Sequence, residues 1–289
     1  MSTDEKLAAI LAAIQTDPGK RGLEELFTAC PNDFAAACRS IAEHPQTPAL
    51  GIVTGFYIPS ATPPAFETDG PLGAIFLARA MNACGIKCSL VIDPWCMPAI
   101  VAGLNSRRLG SSVPIHAIGD EIGVFTHLIA IERVGPNRDE RFLNMRGQDI
   151  TDYTNPVHEM FVRDSHPPTI GIGDGGNEIG MGRIRHDIIG RNIVNGDRIH
   201  CRVSTDLLIV AGVSNWGAYA LAAGIHLLRG VAPAPDLFDP DHEREILEIM
   251  VKEGPLVDGV TGKQTATVDG LTWEAYVKPL VHIREIMRA

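Results

Sequence analysis

Two loops of this sequence carry acidic and amide side chains directly after apolar stretches. The first loop is Glu67-Thr68-Asp69-Gly70-Pro71, and the second runs over residues 171–182. Carboxylate and amide oxygens are the ligands that hard cations such as Mg²⁺ and Mn²⁺ prefer. We therefore predict a divalent-metal site, and the two loops supply its ligands, Glu67, Asp69, Asp174, Asn177 and Glu178. Asp174 is also predicted to be catalytic.

Each loop also has a plainer structural interpretation. Asp69 or Gly70 would cap a following helix with Pro71 in its first turn, but this leaves Glu67 unexplained. Residues 171–176 match the GxGxxG pattern of dinucleotide-binding turns. Asp174 and Glu178 would lie where the pyrophosphate belongs and would repel it, so we predict no nucleotide cofactor. A tight turn that needs glycine only for its backbone would not account for three polar side chains.

Charged residues follow a third apolar stretch, HLIAI. Glu132 is the candidate general base, and Arg133 is a candidate clamp for a substrate carboxylate. The alternative is a surface ion pair of little energetic weight. Arg146, in the stretch NMRG, is a second candidate for binding the substrate carboxylate.

Two further motifs are candidates for substrate contacts. Ser214 and Asn215 stand where an apolar stretch runs into a helix, so either is a natural N-cap. The free amides of that helix end could also hold a carboxylate, and we include Ser214 as a substrate contact and Asn215 as a catalytic residue. Lys263 follows Asp258-Gly259, which is first of all a turn-forming pair, and is a candidate contact for an acidic substrate.

Composition excludes several classes of function. The formal net charge is −10 and no Lys/Arg cluster occurs, which argues against nucleic-acid binding. An acidic protein that binds an acidic metabolite must offset the repulsion locally, with Arg, Lys or a metal ion. We expect a cytoplasmic enzyme with reduced cysteines and no membrane span, because neither a signal peptide nor a long apolar run is present. A homodimer is the default expectation.

The elements that must position these residues alternate along the chain. Nearly continuous apolar runs, typical of strands buried on both faces, cover 49–56, 87–93, 127–133, 169–172 and 206–213. Helical patterns cover 71–84, 97–108, 178–189, 215–228 and 242–253, and further helices are predicted within 4–43. The alternation predicts an α/β fold of three layers, with a largely parallel or mixed sheet flanked by helices. We expect one domain over 1–289, with residues 1–48 as a helical segment packed on it.

The order of the motifs resembles a known family. ETDGP, HLIAIER, NMRGQDI, GDGGNEIGMG, VAGVSNWGAYAL and DGVTG followed by VDGL occur in the order found in the D-glutamate cyclase-like family. The resemblance covers roughly residues 49–275 and implies an α/β fold and interconversion of D-glutamate and 5-oxo-D-proline. A larger member of that family carries an additional amino-terminal hydro-lyase-like half, which the residues before Ala49 are too few to form.

Cyclisation of glutamate needs a base for the ammonium group and an electrophile on the side-chain carboxylate. A Mg²⁺ or Mn²⁺ ion would supply the electrophile. Two alternatives remain open from the sequence. The same carboxylates would suit metal-dependent hydrolysis of a phosphate ester, and a non-catalytic binding protein for a small acid would use the same pocket.

Overall fold

The computed structural model describes residues 1–107, 110, 112–162 and 167–289. Its α-helices are α1 (Thr3–Ile14), α2 (Glu24–Phe27), α3 (Asp33–Ala42), α4 (Pro71–Ala83), α5 (Met97–Ser106), α6 (His186–Asn192), α7 (Gly196–Ile199), α8 (Ser214–Arg229), α9 (Pro240–Glu253), α10 (Trp273–Tyr276) and α11 (Lys278–Arg288). Its strands are β1 (Ala49–Thr54), β2 (Tyr57–Ile58), β3 (Ala65–Phe66), β4 (Lys87–Ile92), β5 (Ile115–Ala117), β6 (His127–Ile131), β7 (Thr169–Gly173) and β8 (Leu207–Val210).

Six strands form one parallel sheet in the order β5-β4-β1-β6-β7-β8. Counted along the chain within this sheet, that is the order 3-2-1-4-5-6 of doubly wound nucleotide-binding folds. β1 lies at the centre, where Val53 pairs with Val91 of β4 on one side and with Ala130 of β6 on the other. The predicted α/β class is confirmed, and every pairing in this sheet is parallel.

Side chains from the strands enter two cores on opposite faces of the sheet. Ile52 and Ile129 belong to the larger core, which holds helices α1, α3, α4, α5, α8, α9 and α11. Val53 and Ala130, their neighbours in sequence, belong to the second core, which is closed by short helices and irregular chain. The alternation follows from the two-residue repeat of a strand and explains why both neighbours in each run are apolar.

The N-terminal helices contact elements of the sheet domain. α1 contacts α8 and α11, and α3 contacts α8 and β8. Ser2 caps α1 through a reciprocal pair of hydrogen bonds with Glu5. Asn32 precedes α3, but its side chain makes no capping hydrogen bond.

One predicted helix is wrong over most of its length. Residues 178–185 are irregular, and α6 begins only at His186. Gly180 has φ +108°, outside the helical region, and its amide donates to Val203 across the loop. The helical spacing of apolar residues here therefore reflects side chains of an irregular loop that enter the second core. Arg108, the last residue of another predicted helix, lies outside the described residues.

The prediction also missed elements that are short or near the C-terminus. These are β5, the antiparallel pair β2–β3 and the helices α7, α10 and α11. Within the part of the chain that the structure describes, every helix is too short or too polar to cross a membrane.

Candidate active site

The candidate residues meet where the carboxyl ends of the strands leave the sheet. Asp69 lies in the connection between β1 and α4, Glu132 directly follows β6, Asp174 follows β7, and Ser214 begins the helix after β8. Parallel strands all deliver their carboxyl ends to one edge of the sheet. β1 and β6 are neighbours whose connections lead away to opposite sides of the sheet, which is where ligands bind in such folds.

Three of the predicted residues converge into a carboxylate cluster. Asp69, Glu132 and Asp174 are buried, and each offers an oxygen within 4.8 Å of the others. The approach depends on Gly70, whose φ is +90°, because a Cβ there would lie 2.7 Å from the Cβ of Glu132. Glu132 itself has φ +43°, a conformation uncommon for side chains other than glycine, which is typical of functional positions.

The N-terminus of α8 holds Asp69 in place. The amides of Ser214 and Asn215 donate to its carboxylate oxygens over 2.9 and 2.8 Å, and the amide of Gly70 donates over 3.0 Å. The positive end of the helix favours this negative charge. The prediction that these amides bind a substrate carboxylate is therefore wrong, because Asp69 already occupies them.

Burial raises the pKa of the clustered carboxyl groups. The pKa of Asp69 rises to about 7, since burial and the nearby Asp269 outweigh the amide hydrogen bonds. The pKa of Glu132 is well above its usual range, first because of burial and then because of Asp174 and other neighbouring carboxylates. Ser214 donates its hydroxyl to Glu132 over 2.6 Å, so this predicted substrate contact instead orients a carboxylate.

Glu178 and Asn177 shape the loop that carries Asp174. Glu178 accepts hydrogen bonds from the amides of Asp174 (3.2 Å) and Gly176 (2.7 Å), so its carboxylate braces the turn. Asn177 donates to the carbonyl of Leu143 over 2.8 Å, and its Oδ1 is buried without a hydrogen-bond partner. Their placement supports the loop geometry, and the metal-ligand role predicted for both stays a prediction.

Asn215 joins two helices instead of facing the cavity. Its Oδ1 accepts from the amides of Gly70 (2.9 Å) and Gly73 (2.7 Å) at the start of α4. Its Nδ2 donates to the carbonyl of Thr68 over 3.3 Å and to the hydroxyl of Tyr276 over 3.1 Å. Both polar atoms of the side chain are used in this brace, so the predicted catalytic role does not fit its position.

Arg133 lies away from the cluster although it follows Glu132 in sequence. Its guanidinium pairs with Asp93 and donates to the carbonyls of Gly55 (2.9 Å) and Asn155 (2.7 Å). The side chain is 1% exposed. The structure corrects both sequence interpretations, since Arg133 is neither a substrate clamp nor part of a surface ion pair.

The other predicted basic contacts are peripheral. Arg146 is exposed at the rim of the cavity and donates to the carbonyl of Val260 over 2.9 Å. Lys263 is exposed on a turn that Asp258 organises by accepting from the amides of Val260 and Thr261, and it is not among the residues around the cavity. Contact between Arg146 and a substrate at the rim of the cavity remains a prediction, whereas the position of Lys263 does not support substrate binding.

Two residues that sequence reasoning did not select complete the site. Arg21, from the chain between α1 and α2, places Nη1 2.6 Å from Oδ2 of Asp174 and Nη2 2.7 Å from Oδ2 of Asp269. Neither carboxylate oxygen receives an aligned hydrogen bond, so the contacts are charge pairs. No local motif marks either residue, because both approach from elements remote in sequence.

A cavity of about 290 Å³ opens above the cluster. This is near the lower end of the size range of small-molecule sites. It is lined by Gly19, Lys20, Arg21, Phe56, Ile58, Glu67, Glu132, Asn144, Met145, Arg146, Asp174, Val194, Gly259, Val260 and Asp269. Gly259 makes room for the buried Glu67, since a Cβ there would lie 1.6 Å from Oε2 of that residue.

The donor set fits a divalent cation. The carboxylate cluster offers oxygen ligands, while Arg21 pairs with only one of its members, Asp174. Buried carboxylates in excess of their cations are stable only if they bind protons or a metal ion. Oδ1 of Asn177 receives no hydrogen bond, and Oδ2 of Asp174, although paired in charge with Arg21, receives none either, so both oxygens keep lone pairs for a ligand.

Comparisons with known proteins identify relatives of this chain. A family model described as D-glutamate cyclase-like, C-terminal, matches residues 10–284. The human protein named D-glutamate cyclase, mitochondrial, is 32% identical over 255 residues, which cover 80% of this chain and 40% of the human protein. This chain therefore spans about two fifths of the length of that relative.

Proposed function

This chain belongs to the D-glutamate cyclase-like family, and on that premise we propose that it interconverts D-glutamate and 5-oxo-D-proline. The observation that carries the proposal is the carboxylate cluster, which lies buried beside an arginine at the carboxyl ends of the strands. The name of the human relative supplies the substrate, and the cavity supplies acid–base groups for it.

The reaction needs a site that moves protons at neutral pH. On cyclisation the amine nitrogen bonds to the side-chain carboxyl carbon, and one carboxylate oxygen departs. Two protons leave the ammonium group and depart with that oxygen as water. A carboxyl group whose pKa burial raises, as at Glu132, holds a proton more tightly than an exposed carboxyl group and can take part in proton transfer at neutral pH.

Glu132 is the proposed general base. Its carboxylate lines the cavity, and the hydroxyl of Ser214 fixes its orientation. Asp69, with a pKa of about 7, is more tightly held by backbone amides and is not a lining residue of the cavity. Of these two carboxylates, Glu132 is the one that lines the cavity, and it is therefore better placed to exchange protons with substrate.

Asp69, Glu132 and Asp174 are the residues that would hold a Mg²⁺ or Mn²⁺ ion. Such an ion, when bound, polarises a carboxyl group and lowers the electrostatic cost of bringing an anionic substrate to an acidic cavity. Asn177 and Glu178 sit in the loop behind Asp174 and keep it in position.

The test combines elemental analysis of the purified protein with a turnover assay. D-Glutamate and 5-oxo-D-proline are each supplied with and without Mn²⁺, using Asp174→Asn and, as a matched control, the exposed Asp4→Asn. We expect metal-dependent interconversion that Asp174→Asn abolishes and Asp4→Asn leaves unchanged. Bound metal without turnover of either compound would reject the cyclase proposal, and phosphate esters would then be the next substrates to assay.

A further inference from the structure

Arg21 reaches the cavity on a turn that is built to hold it. The carboxylate of Asp17 accepts hydrogen bonds from the amides of Arg21 (2.9 Å), Gly22 (2.8 Å) and Leu23 (3.2 Å). A single side chain thus fixes the backbone at the arginine and at the two residues that follow it. The orientation of Arg21 is set by local structure, and its contact with the site does not depend on a loose chain end.

Both ends of this turn are anchored in the body of the protein. Leu23 is fully buried in the second core. At the other end, the carbonyl of Thr16 approaches Gly212 so closely that a Cβ there would lie 1.7 Å from the carbonyl oxygen. The segment from Thr16 to Leu23 therefore crosses the mouth of the cavity as part of the folded structure.

The guanidinium of Arg21 has donors left after its charge pairs. Each Nη contacts one carboxylate, and a guanidinium carries five N–H donors in total. Lys20 and Arg146 also line the cavity, but both side chains are exposed, whereas that of Arg21 is 17% exposed. Among the described lining residues, Arg21 is thus the cationic side chain that is held against buried carboxylates, those of Asp174 and Asp269.

Beside the buried carboxylates, a carboxylate ligand would otherwise face groups of like charge. The lining includes Glu67, Glu132, Asp174 and Asp269. We propose that Arg21 binds the carboxylate that substrate and product share, the α-carboxylate, and so selects acids over their neutral analogues. The inference rests on the proposed function for the identity of the ligand, and it assigns a substrate-binding role to the N-terminal segment.

The test measures discrimination between an acid and its amide. Calorimetry gives Kd for 5-oxo-D-proline, for 5-oxo-D-prolinamide and for glutarate, a dicarboxylate that cannot cyclise. The proteins are wild type, Arg21→Met, Arg21→Lys, and the exposed control Arg39→Met. The double variant Arg21→Met/Asp269→Asn removes the guanidinium together with the charge of its partner Asp269. It is used to measure binding if Arg21→Met alone folds poorly.

We expect wild type and Arg39→Met to bind the acid ~10- to 100-fold more tightly than the amide, because a charge-assisted hydrogen bond is lost with the amide. Arg21→Met and the double variant should bring that ratio close to one, and Arg21→Lys should retain part of it. An unchanged ratio in correctly folded Arg21→Met would overturn the inference.

Failure of the proposed function gives a different result. Arg21-dependent binding of glutarate, in a protein that turns over neither D-glutamate nor 5-oxo-D-proline, would reject the cyclase activity and keep Arg21 as a carboxylate-binding residue. Turnover that survives Arg21→Met with unchanged KM would keep the activity and reject the role of Arg21.

Discussion

Two buried polar groups in this protein differ in how their charges are balanced. One is the carboxylate cluster of Asp69, Glu132 and Asp174. The other, here termed the tyrosine network, consists of Arg79, Tyr219, Glu243 and Tyr276 between helices α4, α8, α9 and α10.

In the tyrosine network the charges are paired and the carboxylate is satisfied. Glu243 accepts from the hydroxyl of Tyr219 (2.8 Å) and from Nη1 of Arg79 (3.3 Å), and the two tyrosine hydroxyls lie 2.7 Å apart. The cluster has negative charge in excess and faces a cavity. Paired buried charge stabilises one packing of helices, whereas unpaired charge beside a cavity costs stability and creates affinity for a cation or a proton.

The largest expected effect separates activity from stability at the cluster. Asp174→Asn should lower kcat/KM for D-glutamate by ~10²- to 10⁴-fold, because a ligand and acid–base partner is lost. The free energy of unfolding should stay the same or rise without metal, because the change relieves repulsion between carboxylates. Steady-state kinetics and urea unfolding measure the two quantities. If stability falls together with activity, Asp174 stabilises the fold as the tyrosine network does, and the distinction between the two groups is wrong.

The tyrosine network should respond in the opposite way. Arg79→Met leaves the buried Glu243 unpaired and should lower the free energy of unfolding by ~3–5 kcal/mol. The folded protein should keep its turnover number, because this network lies outside the cavity. Arg79→Met/Glu243→Gln should recover part of the lost stability in the same urea titration. A turnover number that falls in correctly folded Arg79→Met would contradict the distinction drawn here.

Divalent cations should stabilise only one of the two groups. At a Mn²⁺ concentration about 100 times Kd, linkage predicts a gain of ~2.7 kcal/mol in the free energy of unfolding. The gain should disappear in Asp174→Asn and persist in Glu243→Gln, since the latter lies outside the cluster. Thermal melts with and without Mn²⁺ measure this gain. If Mn²⁺ stabilises both variants equally, the metal site lies outside the cluster.

A further expected effect is a pH dependence of stability due to Glu243, whose pKa burial raises to about 7. The folded state therefore binds this proton more tightly than the unfolded state, in which the pKa is ~4.3. Its contribution is fully present below the unfolded pKa and is lost as pH rises through 7.

Comparison with Glu243→Gln isolates that contribution. The stability of wild type relative to this variant should fall by ~1.4 kcal/mol per pH unit between the two pKa values and level off above 7. Buried His127 and His200, whose pKa values burial lowers to about 4, contribute with opposite sign in both proteins and cancel in the difference. If urea titrations show that the difference in free energy of unfolding between the two proteins does not change with pH, Glu243 does not bind this proton.

Part of the site could be predicted because a parallel sheet fixes where its connections emerge. Asp69, Glu132 and Asp174 each follow an apolar run that reads as a buried strand, so their meeting at one edge was predictable. Their side-chain roles were not, because these depend on which atoms come within hydrogen-bond range. Glu132 was assigned as a base alone, yet it shares the metal-ligand geometry of the other two.

The sequence by itself determined the α/β class, the parallel strands and the acidic loops, because apolar period and turn residues act over short ranges of chain. Only the tertiary structure decided that Arg133 turns away to Asp93, that Asn215 joins two helices, and that Arg21 enters the cavity. Such contacts join residues far apart in sequence. Their energies come from burial and distance, and neither quantity exists until the chain has folded.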